Sequence, residues 1–106
     1  DDHTKTISFL MDRQGRWSLS PAYDISWAYN PTGTWTSKHQ MSINGKWEGI
    51  TRGDLLTFAK NINIKQADDI INKVIAAISK WPTLAKEYDI PDKTIKAIEQ
   101  ALLLKI

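Results

Sequence analysis

Apolar positions alternate with polar ones near the start of this 106-residue chain and recur at helical spacing in its second half. Residues 7–11 and 16–19 are short, strand-like runs. The connection Asp12-Arg13-Gln14-Gly15 between them has Asp early and Gly late, the chemistry of a tight turn, so the two runs predict an antiparallel hairpin. Its register is expected to bring residues 1 and 24 to the same open end. Residues 30–38 read as a loop: Asn30-Pro31 and Gly33 break regular structure, and Thr and Ser dominate the rest. Over 39–44, Met41 and Ile43 alternate with Gln40, Ser42 and Asn44, which predicts a short extended segment before the Asn44-Gly45 turn.

The period changes at Thr51. Thr51 is placed to cap a helix, with Asp54 three residues on in the capping-box position. Leu55, Leu56, Ala59 and Ile62 follow at helical spacing. A longer helix from about residue 66 is predicted to bury Ala67, Ile70, Ile71, Val74, Ala77, Ile78 and Trp81, while Asp68, Asp69, Asn72, Lys73 and Lys80 mostly face away. Pro82 is expected to end or kink it. A short helix over 83–88 follows. Pro91 then opens a last helix lined by Ile95, Ile98 and Leu102. The pattern predicts a single domain over residues 1–106, α+β and mostly α: a β-hairpin head, an irregular linker over 25–50, and a helical bundle over 51–106.

Composition adds mainly exclusions. A 42% apolar and 25% charged chain is ordinary for a globular domain, which rules out disorder along its whole length. A net charge of +2, without any block of like charge, gives no footprint for nucleic acid and disfavours a DNA-binding helical domain. Cysteine is absent, so disulfides and thiolate metal sites are excluded, and a reducing cytosol is compatible. No basic start with an apolar run suggests a signal peptide, and no apolar stretch approaches the roughly 18 residues of a membrane span.

The candidate chemistry lies at the two ends of the hairpin. Asp1 opens Asp1-Asp2-His3-Thr4-Lys5-Thr6, and Asp24 closes Leu19-Ser20-Pro21-Ala22-Tyr23-Asp24. A carboxylate, a hairpin and a second carboxylate form the layout of a phosphoryl-transfer site. One carboxylate orients a hydroxyl and accepts its proton, and the other holds Mg²⁺, which prefers hard oxygen ligands. His3 and Lys5 add positive charge or donors near the transferred group. By spacing alone, solvated terminal charges at Asp1 and Asp2 and a capping Asp24 explain the pair better.

The specific residues change that balance. Asp-x-His-x-Lys-x, then Ile-Ser-Phe-Leu, a hairpin and Leu-Ser-Pro-Ala-Tyr-Asp resemble the C-terminal lobe of HipA-type serine/threonine kinases, bacterial toxins of toxin–antitoxin systems with a divergent protein-kinase-like fold. His39-Gln40-Met41-Ser42-Ile43-Asn44-Gly45-Lys46, followed by Ile50-Thr51-Arg52, also resembles that family, as does the helical tail. The resemblance implies transfer of the γ-phosphoryl group of ATP, with Mg²⁺, to a Ser or Thr hydroxyl of a protein substrate such as an aminoacyl-tRNA synthetase. It implies a cytoplasmic protein with an antitoxin partner, and DNA contact only through that partner. It assigns Asp1 as the catalytic carboxylate and Asp24 as the metal ligand. His3 and Lys5 become the basic residues of the catalytic loop, in contact with the nucleotide together with Asp24.

Thr6 departs from the pattern: the family has a metal-binding Asn there, and Thr is shorter, β-branched and offers only a hydroxyl. No residues resemble the family's nucleotide-binding lobe, whose Lys and covering loop contact the phosphates. The chain starts on Asp1 without an initiator Met, so it reads as part of a larger kinase, inactive by itself. The alternative reading is a non-catalytic module of the same fold that docks an antitoxin or another protein. Of the five Trp, Trp17 and Trp81 are expected in the core, and Trp35, in a polar loop, is the candidate for an interaction surface. His39, with only His3 to join it, makes a poor zinc site and reads as a surface or hydrogen-bonded histidine.

Overall fold

A computed structural model describes residues 2–106. The chain divides into two compact units, one ending at Gly49 and the other spanning Ile50–Ile106. In the first, β1 (Phe9–Met11) pairs antiparallel with β2 (Trp17–Leu19), with Phe9 opposite Leu19 and Met11 opposite Trp17. Backbone bonds from Ser20 N to Ser8 O (2.9 Å) and from Asp12 N to Arg16 O (3.0 Å) extend the pairing at both ends. The strands are shorter than the apolar runs because residues 4–6 coil into a 3₁₀ turn and leave Ile7 to lead out of it.

The turn forms where the residues predict it. The Asp12 carboxylate accepts the Gln14 and Arg16 backbone N–H groups (both 2.9 Å) and the Arg16 Nε–H (2.7 Å). Gly15 sits at φ 80°, a region open to glycine at little cost. The Arg16 backbone N–H, the Arg16 side chain and the Gln14 N–H together hold the Asp12 carboxyl below its usual pKa, against a smaller desolvation effect.

Trp17 corrects an expectation: it is 69% exposed rather than part of a core. Phe9, Met11 and Leu19 share its face and are likewise exposed. Two strands alone cannot enclose an apolar face, which needs a second layer. The segment 39–44 forms no strand: it bends at Gln40 and Met41 and keeps one isolated bridge at Ile43. Asn44-Gly45 does turn the chain, with both residues at positive φ and Ile43 bridged to Lys46.

The second unit is helical: α1 (Arg52–Asn61), α2 (Ala67–Ile78), α3 (Trp81–Glu87) and α4 (Asp92–Ala101). The capping box at α1 is complete. Thr51 Oγ1 accepts the Asp54 N–H (3.3 Å), while the Asp54 carboxylate accepts the Thr51 N–H (2.9 Å) and hydroxyl (2.7 Å). The Arg52 guanidinium ties α1 to α2, reaching Asp68 Oδ1 (2.8 Å) and Asn72 Oδ1 (2.6 Å).

Two details of the helical half differ from the pattern. In α2 the half-buried row is Ala67, Ile71 and Ile75, whereas Ile70, Val74 and Ile78 are exposed. A helix apolar over so wide an arc has two possible inner rows, and packing selects one. Trp81 and Pro82 belong to α3, not to the end of α2. Pro82 lies in the first turn of α3, where its missing N–H is no loss. The Trp81 indole N–H donates to the Ile95 carbonyl (3.2 Å), and Ala85 and Ile95 are buried (2% and 3% exposed) in the α3–α4 hairpin.

Candidate active site

Asp1 lies outside the described residues. His3 leads into the 3₁₀ turn Thr4–Thr6, which carries Lys5 and Thr6. Both donors of Thr6 converge on the His3 carbonyl, the backbone N–H at 3.2 Å and the hydroxyl at 2.8 Å. The short β-branched side chain thus folds back on its own turn, and the hydroxyl proton is committed there. An oxygen lone pair remains available to a hard cation.

The residue before the second candidate carboxylate is bonded to this turn. The Tyr23 hydroxyl donates to the Lys5 carbonyl at 2.9 Å and contacts Ser8 Oγ at 2.5 Å. Asp24 follows in the left-handed region at φ 54°, exposed to solvent. Aspartate adopts that region more readily than most residues, and Asn44, Asn63, Gln66 and Asp89 share it. His3, Lys5, Thr6 and Asp24 therefore belong to two segments joined by one phenol. Among the described residues no group of three or more His, Asp or Glu converges as a ready metal cage.

Asp2 is not the solvated terminal charge that spacing alone suggests. It accepts the Gln40 N–H on Oδ1 (2.8 Å) and pairs with His39 Nδ1 through Oδ2 (3.1 Å). Partial burial pushes its pKa up. The Gln40 N–H, its own backbone N–H and the adjacent His39 outweigh that and leave the carboxyl below its usual value. His39 is thus hydrogen-bonded, as expected, and its backbone N–H also donates to the Trp47 carbonyl (3.1 Å). Gln40 Nε2 donates to the Trp35 carbonyl, while the Trp35 ring is 73% exposed. The Asp2–His39 pairing spans 37 positions and has no local signal. The Asp-Asp-His and His-Gln-Met words mark both partners without linking them.

With this geometry in place, comparison with known families is decisive. The family model described as the HipA-like C-terminal domain matches residues 1–82. The chain belongs to the HipA-like C-terminal domain family. The match runs from the Asp-x-His-x-Lys turn through the hairpin and α2 to Pro82, so every candidate site residue lies within it. No curated protein and no solved structure matches the chain. This HipA-like domain has the expected α+β, mostly α architecture of a hairpin followed by helices. Among its described residues no helix is long and apolar enough to cross a membrane.

Proposed function

We propose that this HipA-like domain carries part of the active site of an ATP-dependent serine/threonine protein kinase, as the C-terminal lobe of a kinase-like fold. The observation that carries the reading is the Tyr23–Lys5 bond. It joins the turn that carries Lys5 to the segment ending in Asp24, two words that a phosphoryl-transfer site needs together. Asp1 would orient the Ser or Thr hydroxyl and take its proton. The acceptor oxygen forms a bond to the γ-phosphorus as the bond to the bridging oxygen of ADP breaks. His3 and Lys5 supply donors and positive charge along the phosphates, where developing charge is stabilised by preorganised groups. Asp24 and the Thr6 oxygen are hard donors of the kind Mg²⁺ takes beside nucleotide phosphates. Bound there, the ion would neutralise phosphate charge. Use of ATP and of a translation enzyme as acceptor would place the protein in the bacterial cytoplasm, with an antitoxin as partner and DNA reached only through it.

A second reading, a protein-binding module without catalysis, is favoured by one observation: the Thr6 hydroxyl proton is engaged on the His3 carbonyl, where the family has an Asn. The experiment that separates the two follows labelled γ-phosphate from ATP, with Mg²⁺, into the full-length protein or a synthetase panel. The kinase reading expects transfer that Asp1→Asn and Asp24→Asn each reduce by a factor on the order of 100 or more. Asn tolerates the left-handed backbone of Asp24, so that variant removes charge without adding strain. Thr6→Asn is expected to raise the rate. If neither the native protein nor Thr6→Asn transfers phosphate, catalysis is excluded and the binding module stands.

A further inference from the structure

We infer that Tyr23 is a positioning residue of the phosphoryl-transfer site, coupling the backbone of the Lys5 turn to the placement of Asp24. The inference rests on the kinase reading and deepens it.

A phenol has one proton. Tyr23 donates it to the Lys5 carbonyl, so in the 2.5 Å contact with Ser8 the serine hydroxyl is the donor. One oxygen thus holds two points of the segment leading into β1. On the other side it is one residue from Asp24. Beyond Lys5, the next residue is Thr6, whose N–H and hydroxyl both close on the His3 carbonyl. A continuous path of peptide links and hydrogen bonds therefore runs from Asp24 through Tyr23, Lys5 and Thr6 to His3. Neither segment can slide without breaking a bond in that path.

Two features set this contact apart from an ordinary structural hydrogen bond. The Tyr23 ring is 43% exposed, so the contact is made by the polar tip, and an exposed bond of this kind adds little to fold stability. Its placement matters more: Asp24 is the residue next to the anchored tyrosine, and its backbone turns there at φ 54°. In-line transfer is steeply sensitive to displacement of the groups that hold the reactants. The chemistry of the two motifs requires hard ligands and an oriented hydroxyl at a defined separation, and Tyr23 is the side chain that spans them.

The test is Tyr23→Phe, which removes one oxygen and keeps the ring, in the full-length protein. In the absence of nucleotide and metal, the Thr6 amide is expected to exchange with solvent about fivefold faster, reflecting the lost anchor on its turn. In the transfer assay kcat is expected to fall roughly tenfold or more with the KM for the acceptor unchanged, and half-saturation by Mg²⁺ to move to higher concentration. Unchanged Thr6 exchange, or an unchanged kcat, overturns the positioning role even if Asp24→Asn abolishes transfer. If neither the native protein nor Thr6→Asn transfers phosphate, or transfer survives Asp24→Asn, the kinase reading fails and the inference falls with it.

Discussion

Asp2 and Asp24 show how differently two carboxylates in neighbouring words of a motif are used. Asp24 is exposed with a left-handed backbone, available to something outside the chain. Asp2 is turned inward onto Gln40 and His39. The sign of its titration follows from the depressed pKa. Its contribution to stability is fully present above the ordinary aspartate value of 3.8 and is lost as pH falls through the lower folded value. Asp2→Asn keeps an oxygen for the Gln40 N–H but removes the charge. The variant is expected to unfold at lower urea than the native protein near neutrality, with the gap closing across that acid range. Urea midpoints measured at successive pH values check this; a gap constant down the whole acid limb would mean that Asp2 is not the titrating group. By the local words His3, Lys5, Thr6 and Asp24 were legible as candidates for one site. Asp2 was not, because its partners lie far along the chain.

At the level of elements, α1 and α3 end in the same way. After α1, Asn63 at φ 57° donates to the Lys60 carbonyl (3.2 Å) and Ile64 donates to Ala59 (2.8 Å). After α3, Asp89 at φ 55° donates to Lys86 (3.1 Å) and Ile90 donates to Ala85 (3.0 Å). Both are Schellman motifs, with the buried Ala59 and Ala85 accepting the bond that spans five residues. The left-handed position normally takes Gly, and Asp89 also places negative charge at a helix C-terminus, the unfavourable end of the dipole. Asp89→Gly is therefore expected to stabilise the protein, by up to about 1 kcal/mol. Thermal denaturation reads this directly, and a lowered midpoint would show that the Asp89 side chain has a stabilising partner. The start of α1 was clearer in the sequence than these ends, since Thr51 and Asp54 announce a capping box whereas Asn and Asp are ambiguous turn residues.

On the scale of the whole molecule, the strongly buried apolar residues among those described are Ala59, Ala85 and Ile95, all in the unit Ile50–Ile106. The unit that ends at Gly49 has two strands and few buried contacts, with most of its large apolar side chains exposed. Stability should therefore be uneven. Ile95→Ala is expected to cost about 2–5 kcal/mol, the range for emptying a buried aliphatic site. By hydrogen exchange, the slowest amides should lie in α1 to α4, and those of the hairpin should exchange faster, because few buried contacts protect them. Slow exchange confined to the hairpin would reverse this picture.

The sequence by itself determined what depends on neighbours a few residues apart: the Asp12–Gly15 turn, the Thr51 capping box, the helical period, and the two motif words that resemble the HipA family. These are settled by backbone preferences and short-range hydrogen bonds, which each residue carries with it. Only the tertiary structure decided which row of α2 faces inward, that Trp81 starts α3 and bonds to α4, and that Trp17 stays in solvent. It alone linked Tyr23 to Lys5 and Asp2 to His39, partners 18 and 37 positions apart. A hydrogen bond between distant residues depends on the path of all the chain between them, and no single residue encodes that path.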